Sequence, residues 1–499
     1  MAPNEPGDGA GNAVDPAGDH DTPGGWGALF GGGNAGPLVV LTGGVLMHAL
    51  SLRVVATVLP PAVAEIGGLR LFAWTVTVAF VGAIWGAAFA APLALSRGLR
   101  DAYRISLLLF AGGSAACATA PGIGLFLAGR FLQGLGGGLL TALAYTTIRR
   151  VFPAALHTRA ITVVSGIWSV GALSGPLVGG ILAGWGLWRW AFWIDVPIAA
   201  AVATIAERTR LPRRGDGPIR AGAAAKIGFG RLALLGVAVM AMALGGASGR
   251  ALAGGCGMIA GIVLLAAMLR IDGTIDPGAG GSRLLPTGAF NPRVTLGAVS
   301  LVMALMAGST TAAFYVPYVI TEVGHHAPIA GGYLNAVVAV SWTLAAFAGA
   351  SAGPAKARAF IVCGPVLEAA GLILTAWTLN TGSLALVAAT LVPVGAGVGL
   401  AWAHLASLMI ASAKERERDL TGAFISTLQL IAQAVASAFA GTVANLGGFA
   451  DPALGADGVM RGVFWVFLVF SLLPAAAVPA GLRAIRLSTR KETRLPGPV

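Results

Sequence analysis

Few side chains able to do chemistry interrupt the apolar runs of this chain. Arg53 stands in "MHALSLRVVATVLPP" (47–61), with His48 and Ser51 just upstream. Arg130 and Gln133 lie three apart in "GRFLQGLGGG" (129–138), Asp195 falls in "WRWAFWIDVP" (188–197), and Glu368 and His404 sit in later apolar stretches. Guanidinium, amide, carboxyl and imidazole groups at such positions can hold a proton or fix a charged ligand. Hydrolytic and metal chemistry fit poorly. "GASAG" (349–353) matches G-x-S-x-G, but that motif needs a strand-to-helix turn, whereas here it ends an apolar helix beside a basic loop. Cys117, Cys256 and Cys363 lie in apolar stretches at no metal-ligand spacing and read as small buried hydrophobes. The expectation is no enzyme, no cofactor and no metal.

Composition explains this scarcity. Of 499 residues, 56% are hydrophobic and 10% charged, with a mean hydropathy of +0.82. A soluble domain carries about 25% charged residues to solvate its surface, so much of this surface must face lipid. The formal net charge of +12 does not imply nucleic acid, because the basic residues punctuate apolar runs instead of gathering in one patch.

About 20 apolar residues cross about 30 Å of hydrocarbon, and that ruler gives fourteen spans. They lie near 37–60, 70–95, 105–120, 123–148, 161–185, 188–206, 228–247, 251–270, 294–319, 328–351, 358–378, 383–411, 420–446 and 460–482. Connectors after even-numbered spans, with the C-terminus, hold 25 lysines and arginines, against 4 in odd connectors. By the positive-inside rule both termini are cytoplasmic. Residues 1–36 are rich in Gly, Pro, Asp and Asn without a periodic apolar face, and are expected to be disordered and not a signal peptide.

The chain also repeats. At an offset of 259, Leu125, Gly136 and Gly138 lie over Leu384, Gly395 and Gly397 without a gap, and span three lies over span eleven. The expected fold is all-α and polytopic: a six-helix bundle at 37–206, a linker at 207–293 with two inserted spans, a second six-helix bundle at 294–482, and a tail at 483–499.

Span five contains "GALSGPLVGG" (171–180), which puts Gly171, Gly175, Pro176, Gly179 and Gly180 along one helix. Small residues let helix backbones approach closely. With this G-x-x-x-G-P-x-x-G-G pattern the chain resembles the major facilitator superfamily, whose antiporters carry it in span five. "GRFLQGLGGG", "WRWAFWIDVP" and "ATVLPPAVAEIGG" (56–68) resemble segments of its fourteen-helix drug:proton antiporter branch. The resemblance implies efflux of lipophilic, often cationic compounds in exchange for protons. It departs at two places. In "PLALSRGLRD" (92–101), Ser96 stands where the family's loop has an aspartate, and "GPAKAR" (353–358) also lacks an acid. In "LSLRVVATVLP" (50–60), Ser51 replaces the first-span aspartate and Arg53 the threonine, so coupling through that carboxylate is impossible.

The remaining groups carry the expectations. Arg130 shares a stripe with Gln133, Gly134, Gly137 and Thr141 and should face the bundle interior. Glu368 lines up with Gly364, Gly371 and Thr375, as a proton carrier, one member of a structural ion pair, or a snorkelling side chain. Asp195 would be satisfied by a neighbouring helix, His404 reads as a satisfied core histidine ahead of a relay, and Glu322, His325 and His326 should be solvated. Arg53 shares its face with Thr42, Ala49, Ala56 and Thr57, which points it into a central cavity with Glu368 as first candidate partner. The rival reading is snorkelling to the outer surface. A positive cavity group would favour anionic or neutral substrates over cationic ones. Together these suggest a monomeric plasma-membrane exporter of small amphipathic compounds, driven by protons. A specialised lipid, siderophore or metabolite exporter, a facilitative transporter, or a membrane-embedded enzyme are the alternatives.

Overall fold

A computed structural model describes residues 26–31, 33–153, 156–209, 211–212, 229–247, 250–275, 285–349 and 352–492. Residues 1–25, most of the 207–228 connector, Ser351 of "GASAG" and the tail from 493 lie outside the described residues. In lipid every backbone N–H and C=O must be satisfied within its own segment, so the apolar runs fold as helices. Thirteen helices are long and apolar enough to cross a membrane. The fourteenth, span three at Leu99–Ala118, opens with Arg100, Asp101 and Arg104, which dilute its hydropathy. Its start precedes the expected residue 105 because those charges find partners: Arg104 lies 3.4 Å and Arg100 3.7 Å from Glu207.

Spans one to six are Ala35–Ile66, Phe72–Arg97, Leu99–Ala118, Ile123–Val151, His157–Gly184, and the pair Trp190–Trp193 and Asp195–Arg208. Seven and eight are Phe229–Ala247 and Ala251–Gly273. Span nine begins as Thr295–Ser309 and continues to Val323 through 3-10, α and π turns. The Thr310 and Thr311 hydroxyls donate back to the carbonyls three residues earlier, each at 2.7 Å, and this competition tightens the helix there. Spans ten to fourteen are Pro328–Gly349, Pro354–Thr378, Leu384–Ser412, Arg418–Leu446 and Gly455–Glu492. Within the N-terminal segment expected to be disordered, Trp26–Phe30 form a helical turn. Leu29 there is buried with Leu38 and Leu41, an apolar anchor that the surrounding Gly and Pro obscured.

Packing has two-fold character. One packs on five as nine does on thirteen, two on four as ten on twelve, and three on six as eleven on fourteen. The two bundles meet along five with ten and two with thirteen, and exchanging the halves turns one seam into the other. The repeat register is not the gapless one. Gly134 and Gly138 abut the Ala79 and Ala83 carbonyls of span two, as Gly395 and Gly399 abut Val338 and Trp342 of span ten. Gly136 lies against Ser106 and Phe110, as Gly397 lies against Gly364 and Glu368. Gly134, Gly136 and Gly138 therefore correspond to Gly395, Gly397 and Gly399, two residues further on. A glycine at every second position matches itself after a shift of two, which misled the alignment.

The interior divides by depth. At the end carrying the arginine-poor connectors, one core joins both bundles, from Val58 and Phe72 to Tyr315, Phe449 and Phe467. Toward the arginine-rich end the core splits in two, one around Leu41, Tyr103 and Leu140 and another around Val299, Leu405 and Phe424. The bundles are thus sealed at one end and separate at the other. Spans seven and eight lie over the two–thirteen seam, where Leu232, Val239 and Met242 pack with Phe80, Ile84 and Ala434. Cys117 is buried, whereas Cys256 and Cys363 are exposed on the outer surface, because lipid tolerates a small apolar thiol as well as a core does.

Candidate functional site

The span-five signature forms the sealed end. A Cβ on Gly171 would lie 3.0 Å from the Ala49 Cβ of span one, one on Gly175 would strike the Arg53 Cβ, and one on Gly179 would strike the Thr57 hydroxyl. Gly180 and Pro176 turn the other way, toward Ile329 and Gly332 of span ten. Span five is therefore wedged between span one of its own bundle and span ten of the other. Close approach by bare glycine backbone permits that wedge. At the same end the two–thirteen seam is closed by Phe72, whose ring lies 5.5 Å from Tyr315, 5.2 Å from Tyr318 and 5.7 Å from Phe449. On this second seam Asn445 also donates to the Arg70 carbonyl at 3.1 Å.

These contacts change the reading of Arg53. The small residues on its face, Ala49 and Thr57, are small because they pack on span five. Ala56 belongs to another face, and lines a closed cavity of about 10 Å³ with Leu52, Val55, Leu59, Val76, Phe314 and Arg130. Arg53 itself is half-buried. Glu368, the partner expected from the sequence, does not reach it, and among the described residues no hydrogen bond or ion pair holds its guanidinium. Ser51 is buried beside it in sequence.

The first bundle gathers Arg130, Gln133 and Asp195, which the sequence left as separate candidates. Arg130 donates to the Gln133 side-chain carbonyl and, through Nε, to the Thr75 carbonyl at 3.2 Å. The Gln133 amide donates to the Ser114 hydroxyl at 2.8 Å and to Asp195 Oδ2 at 3.0 Å. Ser114 also donates to Asp195 Oδ2 at 2.8 Å. All four side chains are buried, so one polar chain ties spans two, three, four and six together.

In the second bundle Glu368 is completely buried. Its Oε1 accepts from the Ser309 hydroxyl of span nine, while its Oε2 has no hydrogen-bond partner among the described residues. His404 lies 5.8 Å from the Phe360 ring, and its buried Nε2 has no hydrogen-bond partner among the described residues, unlike the satisfied core histidine expected. Glu322 and His326 are half-buried and His325 exposed at the end of span nine. Ser96 is exposed and donates to the Leu93 carbonyl of its own helix, so it makes no tie between bundles.

Several residues escaped the sequence reading. Ser114 and Ser309 are ordinary hydroxyls and Thr75 contributes only its backbone carbonyl, with no signal until their helices pack. Glu65 and Arg189 carried a detectable one, as opposite charges flanking the ends of spans one and six. Arg189 NH1 lies 2.5 Å from Glu65 Oε1, the Trp188 indole donates to Glu65 Oε2 at 2.6 Å, and the guanidinium lies 4.2 Å over the Trp188 ring. Arg231 and Asp272 form a buried ion pair between spans seven and eight. His48 is buried edge-on to Phe110 and Trp168. Among the described residues no cluster of His, Cys, Asp and Glu could hold a metal ion.

Known proteins share this architecture. The sequence pattern of the Major Facilitator Superfamily matches residues 41–437. A protein of Mycobacterium tuberculosis named a probable multidrug-efflux transporter is 34% identical over 92% of this chain and 96% of its own. Multidrug resistance protein 3 of Bacillus subtilis is 31% identical over 32% of this chain and 31% of its own. Among solved structures, an autoinhibited peptide transporter of the POT family superposes with a TM-score of 0.62 at 16% identity, covering 91% of this chain and 97% of its own. A D-xylose–proton symporter gives 0.60 at 15% identity, covering 91% and 99%. At such identities these two speak for the fold alone. With fourteen membrane helices in two related bundles and a family match across most of its length, the chain is a multi-pass membrane transporter that belongs to the major facilitator superfamily.

Proposed function

We propose that this chain is a secondary active exporter of small amphipathic, drug-like compounds, which it exchanges for protons by alternating access. The observation that carries the reading is the division of the interior into one shared core at the arginine-poor end and two separate cores at the other. Bundles joined at one end and apart at the other can rock about the glycine-lined seams and expose a central site to each side in turn. The extended likeness to a probable multidrug-efflux transporter supports the drug-like substrate class. Protons are assigned to Glu368, a buried carboxyl with one oxygen free of hydrogen bonds. The protein works as a monomer in the plasma membrane with both termini cytoplasmic, as the arginine asymmetry implies.

Ser51 in the place of the first-span acid favours a second reading, facilitative transport without proton coupling. Dye accumulation in cells with and without the protein, with and without an uncoupler, tests both. Export predicts lower accumulation in expressing cells and an uncoupler that erases the difference. Equal accumulation with and without the protein would overturn export, and a difference insensitive to the uncoupler would favour the facilitative reading.

A further inference from the structure

An arginine at bilayer depth costs about 2.5–3.5 kcal/mol on insertion scales, and such residues pair with a counter-charge or line water. Arg130 is held by neutral acceptors, the Gln133 side-chain carbonyl and the Thr75 backbone carbonyl. Arg53 has no such hold: among the described residues no acid and no hydrogen-bond acceptor binds it. It cannot escape to lipid sideways, because no residue of span one from Val40 to Val63 is exposed. At about 1.5 Å per residue, Arg53 lies about 20 Å along the helix from Ile66, where span one ends.

Its surroundings show where its exposed part faces. One turn further toward the sealed end, Thr57 meets Gly179, Gly332 and Pro176, where spans one, five and ten close on each other. Arg53 stands just short of that junction, on the side where the shared core gives way to two. Its stem rests on Gly175. Asp195 is taken by Ser114 and Gln133, and Glu368 is wholly buried against Ser309, so neither acid cancels its charge.

We propose that Arg53 is the anchoring site for an anionic group, a carboxylate, sulfonate or phosphate, carried by the amphipathic molecule that this protein moves. This rests on the exporter reading above and names its substrate class. A guanidinium without a protein partner offers five donors in a planar fork suited to two oxygens of such a group. The same fork repels cations.

The test uses the full-length protein in phosphatidylcholine vesicles, with a sulfonated rhodamine and a cationic rhodamine ester as matched probes. Binding is followed by quenching of tryptophan fluorescence and transport by dye flux. Arg53→Gln should weaken binding of the sulfonated dye on the order of tenfold or more, leave the cationic dye bound at least as well, and Arg53→Lys should retain most of the anion affinity. Equal losses for both dyes, or none for either, would overturn the assignment. So would an anionic lipid added to the vesicles that occupies the site and abolishes the Arg53 dependence of dye binding. Arg53-dependent anion binding without dye export by the unaltered protein would instead retain the site and sink the exporter reading.

Discussion

Among the described residues each bundle buries one carboxyl within its spans, Asp195 at the break in span six and Glu368 inside span eleven, and the two are held in opposite ways. Asp195 accepts from Ser114 and Gln133, and Gln133 in turn receives Arg130, so every neighbour of the acid is itself fixed. Glu368 has a single hydroxyl, Ser309, on a helix that leaves α geometry directly after it, and its second oxygen accepts nothing. A fully connected polar network makes one helix arrangement rigid, whereas a partly connected one leaves its group able to change partners. The comparison assigns Asp195 to the architecture of the first bundle and Glu368 to the working part of the second. The equivalence of Glu368 with Phe110 sharpens it, since the first bundle fills the same place with a ring packed on His48.

The largest effect should come from erasing the contrast altogether. Gly180→Leu drives a side chain into the Ile329 backbone. It should abolish transport of every probe while the protein still reaches the membrane, as measured by surface labelling alongside dye efflux. Gly175→Leu, against the Arg53 stem, should do the same. Normal transport in both would remove the seam from the account. Next comes Phe449→Ala, which deletes three ring contacts at the sealed end. Aromatic pairs contribute about 0.5–1.5 kcal/mol each, so the equilibrium should shift about tenfold or more toward opening there, seen as faster thiol labelling of a cysteine placed at Ala73.

Smaller effects separate the carboxyls themselves. Asp195→Asn keeps an acceptor for Ser114 but loses the charge, and interhelical hydrogen bonds in membranes average about 0.6 kcal/mol, at most about 1.7. It should lower thermal stability in detergent by a few degrees and leave transport per folded molecule within about twofold. Ser114→Ala removes one of two donors and should do less, by the same melting assay. A complete loss of transport from Asp195→Asn in well-folded protein would break the comparison.

Much of the fold was legible because lipid imposes a simple code. Helix length follows from bilayer thickness, and the arginine alternation fixed the count at fourteen even where span three was too charged to pass a hydropathy test. Charges at its start were misread as connector because their partner, Glu207, is more than one hundred residues away. The span-five glycines were readable as a packing face, although not which helix each would meet. The small residues beside Arg53 were ambiguous, because on a helix they signal cavity lining and close packing alike, and only the span-five glycines across from them show that Ala49 and Thr57 pack. The Arg130–Gln133–Ser114–Asp195 chain was out of reach. Serine is unremarkable in sequence, and the connection exists only once spans three, four and six are side by side.

Uphill transport in vesicles carrying an imposed proton gradient tests the central contrast most directly, with the unaltered protein, Glu368→Gln and Asp195→Asn compared at equal amounts of folded protein. The account predicts that the unaltered protein and Asp195→Asn accumulate dye against its gradient, while Glu368→Gln only equilibrates it. Accumulation by Glu368→Gln equal to that of the unaltered protein would contradict it.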